Sequence, residues 1–189
     1  MPEADEQRPV EGSADQQNRA GSTRIFVRMV ALFVLVLGGY YAFATTELYR
    51  ERVFHPYLVA NAKLSGDILV GLGQEDVETR DASISSSKFS LSIGRGCDGL
   101  QPMAMFVAAL LAFPAPWILK LPALLVCLPL LAAFNVVRIV SLYFVGAYYP
   151  SLFDAMHADV WQVLYILFAV ALFALWLAWA TRSTRSAPA

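Results

Sequence analysis

Apolar residues gather along this chain in four blocks, at about residues 25–44, 102–119, 121–147 and 159–180, parted by polar or proline-bearing sequence. The first block, Ile25 to Ala44, holds about 20 residues, enough to cross a hydrocarbon core of about 30 Å at a rise of about 1.5 Å each. The second is broken by Pro114-Ala-Pro116 and predicts a short, tilted span ending near Lys120. The third and fourth are long enough to cross outright. Residues 1–24, rich in Glu, Asp, Gln and Gly, carry no apolar period and read as a disordered cytoplasmic tail, with 182–189 as a second short tail. Ala42-Phe-Ala44 has the spacing of a signal-peptidase site. The bulky Tyr40 and Tyr41 and the long acidic stretch before it favour an uncleaved anchor.

Between the first two blocks, residues 45–101 carry patterns of their own. Pro56 suits the first turn of a helix. Leu58, Asn61, Leu64, Ile68 and Leu72 recur at helical spacing until Gly71 and Gly73 interrupt, which predicts an amphipathic helix lying on the outer leaflet. Val77 to Ile84 and Lys88 to Gly94 read as two strands of a small hairpin, with Phe89, Leu91 and Ile93 on one face and Ser90 and Ser92 on the other. The expected fold is an all-α integral membrane bundle of about four transmembrane helices. It is expected to form one membrane domain over 25–181 that carries the extracytoplasmic helix and hairpin.

Composition agrees with a membrane protein, since 58% of the residues are hydrophobic and 15% charged. A net charge of −1 gives no electrostatic reason to expect nucleic acid. Two Cys and two His are too few for a zinc-type cluster, so neither a metal nor another cofactor is expected. Four spans put both termini on one side, where Arg19, Arg24, Arg28, Lys120, Arg182 and Arg185 gather; the positive-inside rule assigns that side to the cytoplasm. The segment 45–101 also holds six basic residues, and its length of about 57 residues is close to the limit beyond which such charges stop counting.

On this topology three reactive side chains meet at one rim. Arg138 lies eighteen residues beyond Lys120, a displacement of about 27 Å along a continuous helix. If Lys120 marks the inner surface, Arg138 is level with Cys97, just before the second block, and with His157, just before the fourth. A nucleophile, a fixed cation and a proton carrier then share the outer face. Cys97 is flanked by glycines and charges and reads as reachable; Arg95 and Arg138 are the cations available to lower a thiol pKa of about 8.5. Asn135, one helical turn before Arg138 amid apolar residues, marks that arginine as a buried functional cation. Cys127, inside a Leu-rich run, reads as packing, and His55 beside Pro56 as structural.

Gly96-Cys-Asp-Gly-Leu100, Asn135-Val-Val-Arg-Ile139 and His157 before the last span resemble, in order and spacing, the three signatures of the exosortase and archaeosortase membrane transpeptidases. The likeness covers roughly Val59 to Ala180, and Phe113-Pro-Ala-Pro-Trp117 is similar to the compact branch called exosortase H. Asp98 stands where many relatives have Ser, and most relatives are longer, with extra spans ahead of the core. The resemblance implies that Cys97, Arg138 and His157 cleave a C-terminal sorting signal from membrane-anchored exported proteins. The substrate would carry a short motif, a hydrophobic helix and a basic tail, and its new end would pass through a thioester to an unknown acceptor nucleophile. It assigns substrate-orienting or supporting roles to Asn135, Asp98, Gly99 and Arg95. The setting would be the lipid bilayer of the inner membrane, with the site on the extracytoplasmic face.

Two other classes stay open at this level. A noncatalytic membrane scaffold accounts for the spans and hairpin without thiol chemistry. A quinone-linked thiol oxidoreductase needs a Cys pair that Cys97 lacks within a short motif.

Overall fold

The computed structural model describes residues 10–185. The chain runs through α1 (Val10–Ala44), α2 (Glu47–Tyr49), a π-helical turn (Arg50–Phe54) and α3 (His55–Gly71). Strands β1 (Glu78–Arg80), β2 (Ser83–Ser85) and β3 (Ser90–Ser92) follow, then α4 (Leu100–Ala112) and α5 (Trp117–Tyr148). A 3-10 turn (Pro150–Leu152), α6 (Phe153–Ala155) and a π-helical turn (Met156–Val160) lead into α7 (Trp161–Arg185).

Three stretches are long and apolar enough to cross a membrane: Gly21–Ala44, Trp117–Tyr148 and Pro150–Arg182. The expected span at 102–119 is instead α4, a helix of 13 residues, about 20 Å long against a core of about 30 Å. Proline explains the difference. Phe113 precedes Pro114 and takes an extended conformation (φ −67, ψ 136), as the clash with the proline ring demands, so α4 stops there. Pro116 is the N-cap of α5, and Trp117 to Lys120 therefore open the next helix rather than close the previous one. The other end of the chain also shifts. The helix holding the first span starts at Val10, not near residue 25, because no proline intervenes between Pro9 and Pro56 to stop it. Residues 1–9 of the expected tail, and 186–189 of the second, lie outside the described residues.

α5 is the central helix. Toward one end, Ile139, Leu142 and Tyr143 pack with Leu58, Ala62 and Leu69 of α3, with Ile84 and Leu91 of the sheet and with Ile93 just after it. Toward the other, Ala123, Cys127 and Leu131 pack with Phe106 and Leu110 of α4 and with Tyr165, Leu172 and Trp176 of α7. Cys127 is packing material, as its surroundings suggested. Phe134 touches both clusters and stacks on Phe168 at 4.2 Å between centroids.

The expected hairpin is a three-stranded antiparallel sheet, order β1-β2-β3, with Thr79 opposite Ile84 and Ile84 opposite Leu91. The first predicted strand folds back on itself at Asp81, whose φ of 54 is left-handed, a conformation Asp tolerates better than most side chains. The alternation read in the second strand is present: Leu91 and Ile93 are buried, Ser90 and Ser92 exposed. The predicted stripe divides between two faces of α3. Leu58, Asn61, Ala62, Ser65, Gly66 and Leu69 face inward, while Leu64, Ile68 and Leu72 are exposed. Small residues win the inner face because the sheet approaches closely: a Cβ on Gly66 would overlap the Thr79 hydroxyl. Phe89 lies against Gly146 of α5 in the same way, and Tyr143 Oη donates to Ser86 Oγ at 2.7 Å. These contacts clamp the sheet onto α5 and fix the loop that follows it.

Candidate active site

Cys97 lies on the loop between β3 and α4, in a sequence that alternates glycine with functional residues. Gly96 (φ +93) and Gly99 (φ +71) both take left-handed conformations closed to most side chains, so the backbone can turn sharply on either side of the thiol. Asp98 holds that turn. Its carboxylate accepts from the Gly96 N–H at 3.1 Å and from the Leu100 N–H at 2.7 Å, capping the first turn of α4. Gly99 also permits close approach: a Cβ there would come within 2.7 Å of the Tyr165 hydroxyl and 3.0 Å of the Asn135 amide.

The Cys97 Sγ lies 2.7 Å from His157 Nε2, although sixty residues separate them in sequence. His157 sits in the π-helical turn Met156–Val160, where the widened backbone re-aims its side chain. Phe153, one turn earlier, stacks on the imidazole at 5.6 Å and 8° and fixes the ring plane. Arg138 Nη2 donates to the His157 carbonyl at 3.2 Å, so the arginine braces the turn carrying the histidine. Arg138 is 2% exposed, and its Nε–H finds no acceptor among the described residues.

The thiol departs from expectation in two ways. It is 5% exposed, not freely reachable, because Ile93, Ile139 and Trp161 share its core cluster. Its pKa is pushed up, chiefly by that burial; the Arg138 charge pulls it down and the Asp98 charge raises it further. Arg95 gives no help. It is exposed and lies over the Phe54 ring at 5.8 Å.

Asn135 is fully buried; its Nδ2 donates to Asn61 Oδ1 at 3.4 Å, and its own Oδ1 has no donor among the described residues. Asn61 in turn donates to the Tyr57 carbonyl at 2.9 Å. Tyr57 Oη and Trp161 Nε1 are likewise buried without partners. In the sequence Asn61 stands only as a member of an apolar stripe, and a polar residue at a core position was the available signal. Phe153, four residues before His157, could have been found from helical spacing alone. His55 pairs with Asp81 at 2.8 Å on the exposed surface, away from this chemistry. Among the described residues no group of three or more His, Cys, Asp or Glu could hold a metal ion.

The arrangement thus supplies a thiol with a base in contact, a buried guanidinium behind that base, and unpaired donors and acceptors nearby. No curated protein and no solved structure matches the chain. A family model described as transmembrane exosortase matches residues 19–177, a stretch that contains Cys97, Asn135, Arg138 and His157. The chain belongs to the transmembrane exosortase family.

Proposed function

We propose that this protein is a membrane cysteine transpeptidase that cleaves a C-terminal sorting signal from membrane-anchored exported proteins and passes the new carboxyl end to an acceptor. The contact of Cys97 Sγ with His157 Nε2 at 2.7 Å carries the reading. A raised thiol pKa favours a resting thiol, so the proton moves to His157 as sulfur attacks. The new S–C bond gives a tetrahedral oxyanion, with Arg138 and its unpaired Nε–H as the candidate stabiliser. Collapse breaks the C–N bond, and His157 returns its proton to the leaving amine. The acceptor nucleophile then gives its proton to His157, attacks the thioester carbonyl and releases the Cys97 thiolate, which His157 reprotonates.

Asn135 orients this assembly, and Asp98 and Gly99 shape the thiol loop. Their buried contacts support these roles. α4 would be a fourth, incomplete membrane segment below the site, with the site on the extracytoplasmic face of an inner membrane. The test replaces Cys97 by Ala and follows substrate processing in membranes. Processing should fall below detection at unchanged protein level, while Cys127→Ala retains it. Full processing by Cys97→Ala would leave the scaffold reading instead, and equal loss in both variants would show that stability alone was being measured.

A further inference from the structure

At the end of α4 away from Cys97, a cleft of about 290 Å³ opens between α1 and the α4–α5 connection. Ile25, Arg28 and Leu32 of α1 form one wall; Leu111, Pro114 and Lys120 form the other. Lys120 is 5% exposed, an unusual burial for an ammonium group. Its Nζ donates to the Leu111 carbonyl at 2.8 Å and lies over the Trp117 ring at 5.3 Å. Neither neighbour carries negative charge. Lys120 also stands in the first turns of α5, at the positive end of the helix dipole, where a second positive charge is disfavoured.

Arg28 brings another cation to the same cleft, and among the described residues no acidic side chain lines it. Two cations and a largely apolar wall converge on one cleft. Such a space is electrostatically incomplete without an anion. The aliphatic side chains of Ile25, Met29 and Leu32 line its wall along α1, the direction in which an acyl chain would run. Trp117 is 63% exposed beside it, in the manner of an interfacial aromatic anchor.

We propose that this cleft is a binding site for the phosphodiester headgroup of an anionic phospholipid, held by Arg28 and Lys120. Basic recesses between membrane helices are a recurrent solution for such headgroups. Bound there, the lipid neutralises Lys120 and ties α1, which packs chiefly on α4, to the α4–α5 elbow. The site is independent of the thiol chemistry and stands whether or not the proposed reaction is correct.

The full chain, purified in a mild detergent, is incubated with phosphatidylglycerol or with zwitterionic phosphatidylcholine, and retained lipid is measured by native mass spectrometry. Phosphatidylglycerol should be retained at least about tenfold better than phosphatidylcholine. Arg28→Gln, at an exposed position that does not endanger folding, should remove most of that preference, and Lys120→Met the remainder. Equal retention of both lipids, or a preference unchanged in both variants, overturns the proposal. Inorganic phosphate is the third arm. If phosphate alone competes away the lipid at millimolar concentration, the cleft is a site for a free anion and the lipid assignment fails.

Discussion

At the scale of single residues, the charges around Cys97 oppose one another, and the balance can be read through the thiol. Burial raises its pKa, Arg138 lowers it and Asp98 raises it. A raised pKa means less thiolate at a given pH, so alkylation by iodoacetamide should climb with pH through a midpoint above the usual value of about 8.5. Asp98→Asn removes a negative charge and keeps one acceptor oxygen, enough for one of the two N–H bonds that the carboxylate accepts from Gly96 and Leu100. Its midpoint should shift down and its rate near pH 8 rise severalfold, whereas Arg138→Gln should shift the midpoint up. An unchanged midpoint in both variants would mean that burial alone sets the thiol. Arg138 faces a stricter demand than charge, since it donates to the His157 carbonyl while its Nε–H stays unpaired. An ammonium lacks the planar fork that serves both. Arg138→Lys should lower processing by about 10²- to 10³-fold, the usual cost of losing an oxyanion donor. Near-normal turnover would reduce Arg138 to a structural cation.

At the scale of elements, the turn between β3 and α4 decides where the thiol lies, and its tightest point is Gly99. A side chain there meets both a left-handed backbone (φ +71) and the Tyr165 and Asn135 groups. The conformation alone costs about 1–2 kcal/mol for an L-residue. Gly99→Ala should lower the melting temperature by several degrees and slow processing, even though no reactive atom is removed. Normal stability and activity would show that the loop has slack. The sequence announced Cys97, Arg138 and His157 because rare polar residues stood out against apolar blocks, and helical rise then aligned them. It hid what depends on packing. The buried face of α3 follows the closeness of the sheet at Gly66, not the hydrophobicity of Leu64 and Ile68, which stay exposed. The division of the first strand depends on one left-handed Asp81. The α4–α5 boundary was legible in principle, since Phe113 before Pro114 cannot easily continue a helix. The nearly continuous apolar sequence on both sides of Pro114 concealed it.

At the scale of the whole molecule, the proposed site and the cationic cleft stand at opposite ends of α4. Thirteen residues separate these ends, about 20 Å, while the run along α5 from Lys120 to Arg138 is about 27 Å. Both lengths fall short of the roughly 30 Å hydrocarbon core. On the proposed reading, with Lys120 and Arg28 held at one headgroup layer, the thiol would sit at or just beneath the opposite interface. A soluble peptide reaches such a depth poorly. A chain emerging from the bilayer beside the protein passes it directly, and anchoring raises its effective concentration without tight recognition of its sequence. On the proposed reading, the distance between the scissile bond and the substrate's own transmembrane helix then matters as much as the motif. A rigid helical insertion of about ten residues between the two moves the bond outward by about 15 Å. Processing of that substrate should stop with the motif intact, and a flexible Gly-Ser insertion of equal length should restore part of it, because a coil can fold back to the required depth. Unchanged cleavage of the substrate with the helical insertion, or equal cleavage of a soluble peptide bearing the motif, would show that the site reads sequence alone.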